Sequence, residues 1–422
     1  MMIFTEVLLF TFIGIILGIF TGLIPGIHVN TIFITLPFLT PIIFNFNFSI
    51  YAVFALIVSM AVTHTIFDFI PSIFLGVPED STALSILPGH KLLLQGKGIE
   101  ALFLTIIGGL FITILFILLL PFLIFLIPIL FNSLKFYIPL ILILIVSFTI
   151  LTEKSKSGMF FSFLLFLFSG FLGLITLNSK LIPEGYVFFP LFTGLFGIPT
   201  LIISLGTKSE IPPQSGLIFN IKRKLVLSGV FKSLFSSLLV GILPGVGAAQ
   251  ATVLTQELTN LGKKKNKEKI ESENLKEFLI SIGGINTSIT LISFLSLYSI
   301  QKARTGASVA ISKLIENFQI NELILLISIS LISIGISSIL ALYIGNKILI
   351  FIQKIPYYKI SLIILSFLFI FGLIFTGILG VIVMLISTSI GMIAPLSKIK
   401  RSHSMGVIIL PVILFYLKIP FS

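Results

Sequence analysis

The sequence predicts an all-α polytopic membrane protein built as two inverted repeats, each a Pro-Gly-tipped helical hairpin plus about five transmembrane helices. Three observations carry this. Of the 422 residues 57% are apolar and only 10% are charged, against roughly one quarter charged in soluble domains. Mean hydropathy is +1.21, and the apolar residues form solid runs of Ile, Leu and Phe, without the alternation a membrane barrel needs. Two Pro-Gly dipeptides, Pro25-Gly26 and Pro244-Gly245, each split an apolar stretch into two arms.

The composition also excludes. At about 20 residues per crossing, the apolar content is material for roughly 12 spans. With Cys at 0, disulfides and thiolate metal sites are ruled out. The net charge of +12 does not point to nucleic acid, because the basic residues lie in loops between apolar runs. The first Lys or Arg is Lys91, so the apolar N-terminus lacks a basic n-region and reads as a membrane element, not a cleavable signal.

Loop charge sets the topology. Residues 207–224 and 261–277 are both strongly basic and belong on the cytoplasmic side. The segment between them must therefore return to its starting side, and it turns at Pro244-Gly245. The first run, 4–44, repeats the pattern about Pro25-Gly26. Treating both as hairpins leaves an odd number of single crossings per half, so the halves are inverted. The cytoplasmic loops then hold 20 Lys and Arg against 6 outside, with both termini outside. The division follows: membrane repeat 1 over 1–206, a cytoplasmic linker over 207–224, membrane repeat 2 over 225–422.

The two hairpins also resemble each other in sequence. Gly22, Pro25 and Gly26 align with Gly241, Pro244 and Gly245 at an offset of 219. Such interrupted helices characterise secondary transporters, whose site lies between repeats near the midplane.

At each tip Pro removes a backbone donor and Gly frees φ, so a second helical arm starts inside the protein. Its free N–H groups and positive dipole end suit an anion. The expected substrate-binding residues are Pro25, Gly26, His28, Asn30 and Thr31 at the first tip and Pro244, Gly245, Gly247 and Gln250 at the second. Asn286 and Thr287 join them from the helix after the second hairpin. For His28, Asn30, Thr31 and Gln250, capping of the broken helix ends is the open alternative. His64 and Asp68, at i and i+4 on one helix, are the expected ion-coupling pair, since an ionisable group at mid-membrane is costly. A structural, hydrogen-bonded pair is the competing reading. Lys263 to Lys276, alternating with Glu268, Glu271, Glu273 and Glu277, reads as a solvated helix touching anionic lipid.

These residues resemble the large membrane subunit (TctA) family of the tripartite tricarboxylate transporters. The resemblance rests on the second hairpin, Gly241 to Ala249, and on the run Leu75-Gly76-Val77-Pro78, Ser81-Thr82, Leu87-Pro88-Gly89-His90-Lys91 and Gly96-Lys97 to Leu102. It marks Gly76, Pro78, Ser81 and Thr82 as a cytoplasmic motif. It implies a secondary-active permease in the cell membrane for a small organic anion such as a di- or tricarboxylate. A coupling ion, H⁺ or Na⁺, is the only cofactor expected. Ile27-His28-Val29-Asn30 and Glu79-Asp80 stand where the family has small residues, which marks a divergent branch. Two partner arrangements stay open: a small membrane subunit with a substrate-binding protein, or a stand-alone chain, in either case with membrane lipid and with a homo-oligomer as a further option. The alternative functions are a transporter or exporter of an unrelated solute and an intramembrane enzyme. For the enzyme, Asp68 and Asp80 are the only Asp residues and no Gly-x-Gly-Asp occurs, so no catalytic or metal-binding residue is assigned.

Overall fold

The computed structural model describes residues 2–24, 33, 48–77, 82–134, 136–153, 155–179, 182–183, 186–205, 212–216, 221–241, 248–260, 269–354 and 357–418. Among them every regular element is helical. The first half runs α1 (Met2–Leu23), α2 (Ile50–Phe67), α3 (Phe69–Leu75), α4 (Ile86–Leu94), α5 (Gly98–Leu134), α6 (Ile138–Leu151), α7 (Lys156–Asn178), α8 (Phe188–Phe192) and α9 (Ile198–Leu205). The second runs α10 (Arg223–Gly241), α11 (Ala248–Asn260), α12 (Lys269–Ile300), α13 (Gly306–Leu314), α14 (Ile320–Ile352), α15 (Tyr357–Gly391), α16 (Ile393–Ser397) and α17 (Gly406–Tyr416). Seven helices among the described residues are long and apolar enough to cross a membrane. This is a multi-pass membrane protein. Long side chains such as Phe122, Phe125, Leu118 and Ile374 are exposed on its outer surface, where lipid tails would be their solvent.

Two interruptions have local causes. Pro71 lacks an N–H and its ring crowds the carbonyl four residues back, which interrupts the helix at Asp68 between α2 and α3. Asp68 keeps helical φ and ψ, and its N–H still bonds the His64 carbonyl at 3.0 Å, so Ile50–Leu75 remains one span, as the sequence suggests. Gly377 has φ of +66° inside α15, a conformation that Gly adopts without a Cβ penalty, and it divides that helix.

Helix direction places the hairpins. Gly14, Gly18 and Gly22 share one face of α1 at i, i+4 and i+8. They lie against Ser59, Thr63 and Phe67 of α2 in the same order, so α1 and α2 run parallel. The backbone of Ser49 donates to Glu6 Oε2 at 3.0 Å at their starting ends. The described chain thus leaves α1 at one end of this pair and enters α2 at the other. The second half repeats this: Gly229, Ser233 and Ser237 of α10 meet Ile280, Gly284 and Ser288 of α12 in order. Return of the chain here is visible in α11, whose Thr255 hydroxyl donates to Ser236 Oγ at 2.6 Å.

α2 and α12 are the most enclosed spans, and they cross antiparallel. α5 runs along α12, with Thr105 over Gly283 and Gly109 against Thr287. A Cβ at Gly283 would fall on the Thr105 backbone, so these two helices meet main chain to main chain, as small residues allow in membranes. The basic loops gather at one end. Gly98 N–H donates to Gln214 Oε1 at 2.7 Å, and Ser215 N–H to the Gly96 carbonyl at 2.8 Å. Lys400 N–H and His403 Nε2 both reach Glu153 Oε1, at 3.1 and 2.9 Å.

Candidate functional site

Asp68, between α2 and α3, puts a carboxylate in the middle of the bundle, 1% exposed. A charge there needs partners, because burial strips it of water. Asn286 of α12 supplies one. Its Nδ2 donates to Asp68 Oδ2 at 2.8 Å and to the Thr65 carbonyl at 3.1 Å. Two acceptors on one side fix the orientation of the amide. Thr65 Oγ1 lies 3.4 Å from Thr287 Oγ1. His64 sits one turn before Asp68 and its Nδ1 is 3.2 Å from Thr21 Oγ1 of α1. Thr63 Oγ1 lies 2.8 Å from Ser337 Oγ of α14. Four helices from both halves thus converge through hydroxyls, one amide and one carboxylate.

Of the residues expected from sequence, His64, Asp68, Asn286 and Thr287 are brought to this crossing. Gly76 takes φ of +69° and ends α3. Thr82 is buried, and its carbonyl accepts from Ser72 Oγ at 3.3 Å. Gln250 belongs to α11, and its side chain lies outside the described part of the chain. Both Pro-Gly tips lie outside the described residues, namely Pro25, Gly26, His28, Asn30, Thr31, Pro244, Gly245 and Gly247, as do Pro78 and Ser81. Among the described residues, Gly22 stands beside the Asp68 backbone, and Gly241 beside Ile289 and Ile292.

The hydroxyls Thr21, Thr65, Ser337, Ser236 and Ser237 are absent from the sequence expectation. Their signal is faint. Ser and Thr within apolar helices usually bond the carbonyl three or four residues back, as Thr65 does to Val62 at 2.8 Å, so composition does not separate site from filler.

At the end that gathers the basic loops, α10, α12 and α5 are clamped by ion pairs. Glu277, 3% exposed, accepts from Lys232 and Ser228, each at 2.5 Å. Lys276 pairs with Glu100, and Lys222 with Glu273 at 2.6 Å. The solvated-helix reading is corrected for Glu273, Lys276 and Glu277, while residues 261–268 lie outside the described residues. From Lys269 the chain is continuous with the buried α12, and Glu273, Lys276 and Glu277 face other helices. No three His, Asp or Glu side chains among the described residues are grouped to hold a metal.

Comparison with known proteins gives two matches. The model of the "Tripartite tricarboxylate transporter TctA family" matches residues 8–406. An uncharacterized protein of Methanocaldococcus jannaschii is 35% identical over 421 residues, covering 97% of this chain and 99% of that protein. No solved structure matches.

Proposed function

The chain belongs to the tripartite tricarboxylate transporter TctA family, a family of membrane transporters, and we propose that it is a secondary-active permease for a small organic anion. The substrate class is a di- or tricarboxylate, held between the two Pro-Gly tips and driven by an H⁺ or Na⁺ gradient. The observation that carries the reading is the enclosed Asp68–Asn286 contact, where the most buried spans of the two halves meet.

Element order supports the inverted repeat. Adding 219 to the bounds of α1, α2 and α5 gives 221–242, 269–286 and 317–353. These overlie α10 (Arg223–Gly241), α12 (Lys269–Ile300) and α14 (Ile320–Ile352). The same shift carries α4 to 305–313, over α13 (Gly306–Leu314). Matched helices run antiparallel: α2 crosses α12, and Gly345 and Leu349 near the end of α14 meet Leu102 and Gly98 at the start of α5. Inversion of that kind would bring one hairpin from each face. A carboxylate at Asp68 can exchange a proton or hold a cation while hydroxyls and helix ends receive the anion.

The lysine-rich end is assigned to the cytoplasm, and the remaining subunits of a tripartite system are the proposed partners. Reconstitution tests the function. Proteoliposomes holding the chain alone should accumulate labelled citrate or succinate under an inward H⁺ or Na⁺ gradient. The same gradient should drive nothing into protein-free vesicles. If no carboxylate enters in either gradient, with or without partner subunits, the anion reading fails.

A further inference from the structure

The chain carries 24 lysines and three arginines. Arg223 is exposed. Arg401 is partly buried and satisfied, donating to Thr200 Oγ1 and to the Phe196 carbonyl. Arg304 differs. It lies just beyond α12, at the opposite end from the lysine-rich loops. Its backbone N–H is held by Ser308 Oγ at 2.9 Å and Ser293 Oγ at 3.2 Å. The residue is half-buried, and its Nε and Nη2 atoms are covered yet have no acceptor. The guanidinium sits 5.3 Å from the Phe131 ring centre, and Lys302 Nζ sits 4.9 Å from the same centre. Among the described residues no carboxylate pairs with either cation.

Two like charges on one ring repel, and buried charged donors without acceptors are costly. The chemistry of the two orphaned atoms is specific. Nε–H and the Nη2–H beside it are parallel donors of a planar fork, spaced for the two oxygens of a carboxylate or phosphate. Burial also lowers the Arg304 pKa, while Tyr416 opposes the shift. We propose that Arg304, with Lys302 beside it, is an oxyanion-binding subsite, which takes a carboxylate or phosphate side-on through the Nε/Nη2 fork. Binding draws the guanidinium away from the Phe131 ring. The existence of the subsite is independent of the permease reading; its role as first stop of a transported anion rests on that reading.

The test uses the full chain in detergent at low salt. Labelled citrate is measured by equilibrium dialysis, and retained phosphatidylglycerol by native mass spectrometry. Arg304→Lys keeps charge and bulk but loses the fork, and should weaken citrate binding about tenfold; Arg304→Gln should weaken it further. Arg223→Lys, at an exposed position of the opposite, lysine-rich end, should leave this binding unchanged, which separates the subsite from cationic charge in general. If the parent holds phosphatidylglycerol rather than citrate, and Arg304→Lys releases it, the fork takes a lipid phosphate and the proposal stands. Binding of both probes by Arg304→Lys and Arg304→Gln at the parent's level, or of neither probe by the parent, overturns it.

Discussion

Asn286 donates its side-chain amide to the carboxylate of Asp68 at 2.8 Å, across 218 positions of sequence. The contact joins the most buried span of one half to that of the other. Removing the donor leaves a buried carboxylate short of a partner, at a cost of about 1–3 kcal/mol. Asn286→Ala should therefore lower the thermal unfolding midpoint in detergent. Asn286→Asp should lower it further at neutral pH, because it sets two carboxylates side by side. If both variants unfold with the parent, the contact contributes nothing to the fold.

Close packing of α5 on α12 makes a second prediction with its own control. Gly283→Ala puts a Cβ on the Thr105 carbonyl, and overpacking of that kind costs about 1–3 kcal/mol. Gly335, on α14, has open space where a Cβ would go. There Ala removes the entropic penalty of Gly in a helix, a gain of up to about 1 kcal/mol. Detergent melting curves should move in opposite directions for the two variants.

His90 predicts a pH dependence. It is buried on α4, with Nδ1 3.3 Å from the Ile73 carbonyl. Burial, and then the Arg401 charge, lower its pKa from 6.5 against the raising effect of the carbonyl bond. The neutral form is thus favoured in the folded state. Stability from this group is complete above pH 6.5 and is lost as the pH falls through that unfolded value. His90→Asn keeps a donor for Ile73 and cannot titrate, so its unfolding midpoint should fall less between pH 7.5 and pH 5, to about the extent that one titrating group contributes. Equal falls for parent and variant would assign the acid sensitivity to other groups.

Much of this was legible in the sequence, for physical reasons that stop at identifiable points. Runs of Ile, Leu and Phe give spans because the bilayer demands apolar length, and the offset of 219 between Pro25 and Pro244 also relates the helix bounds. Asp68 stood out because carboxylates are rare in such runs. Its partner on α12 was expected only as a polar residue near a tip, since no local pattern tells which two helices cross. Pro71 interrupts the helix near Asp68 without ending the span, and Pro marks such a point without fixing which side chain meets a partner helix. The Glu273–Glu277 cluster reads as solvated from charge density alone, and only the tertiary partners Lys222, Lys232 and Glu100 correct that.

Topology has a direct probe, because the chain contains no Cys. Single cysteines in place of Ser209 and Asn266 should both resist an impermeant thiol reagent added outside intact cells, and both should react after permeabilisation. Outside labelling of either position breaks the inverted arrangement, since the two basic loops would no longer share a face.

The central claim is that Asp68 couples an ion gradient to anion movement. Its most direct measurement compares parent and Asp68→Asn in proteoliposomes, reading gradient-driven accumulation of labelled citrate or succinate beside substrate exchange at zero gradient. Asn retains the size and the hydrogen bonding and removes the titration and the charge. The account predicts that accumulation is lost while exchange persists. Accumulation by Asp68→Asn equal to that of the parent would contradict it and make the Asp68–Asn286 contact a structural one.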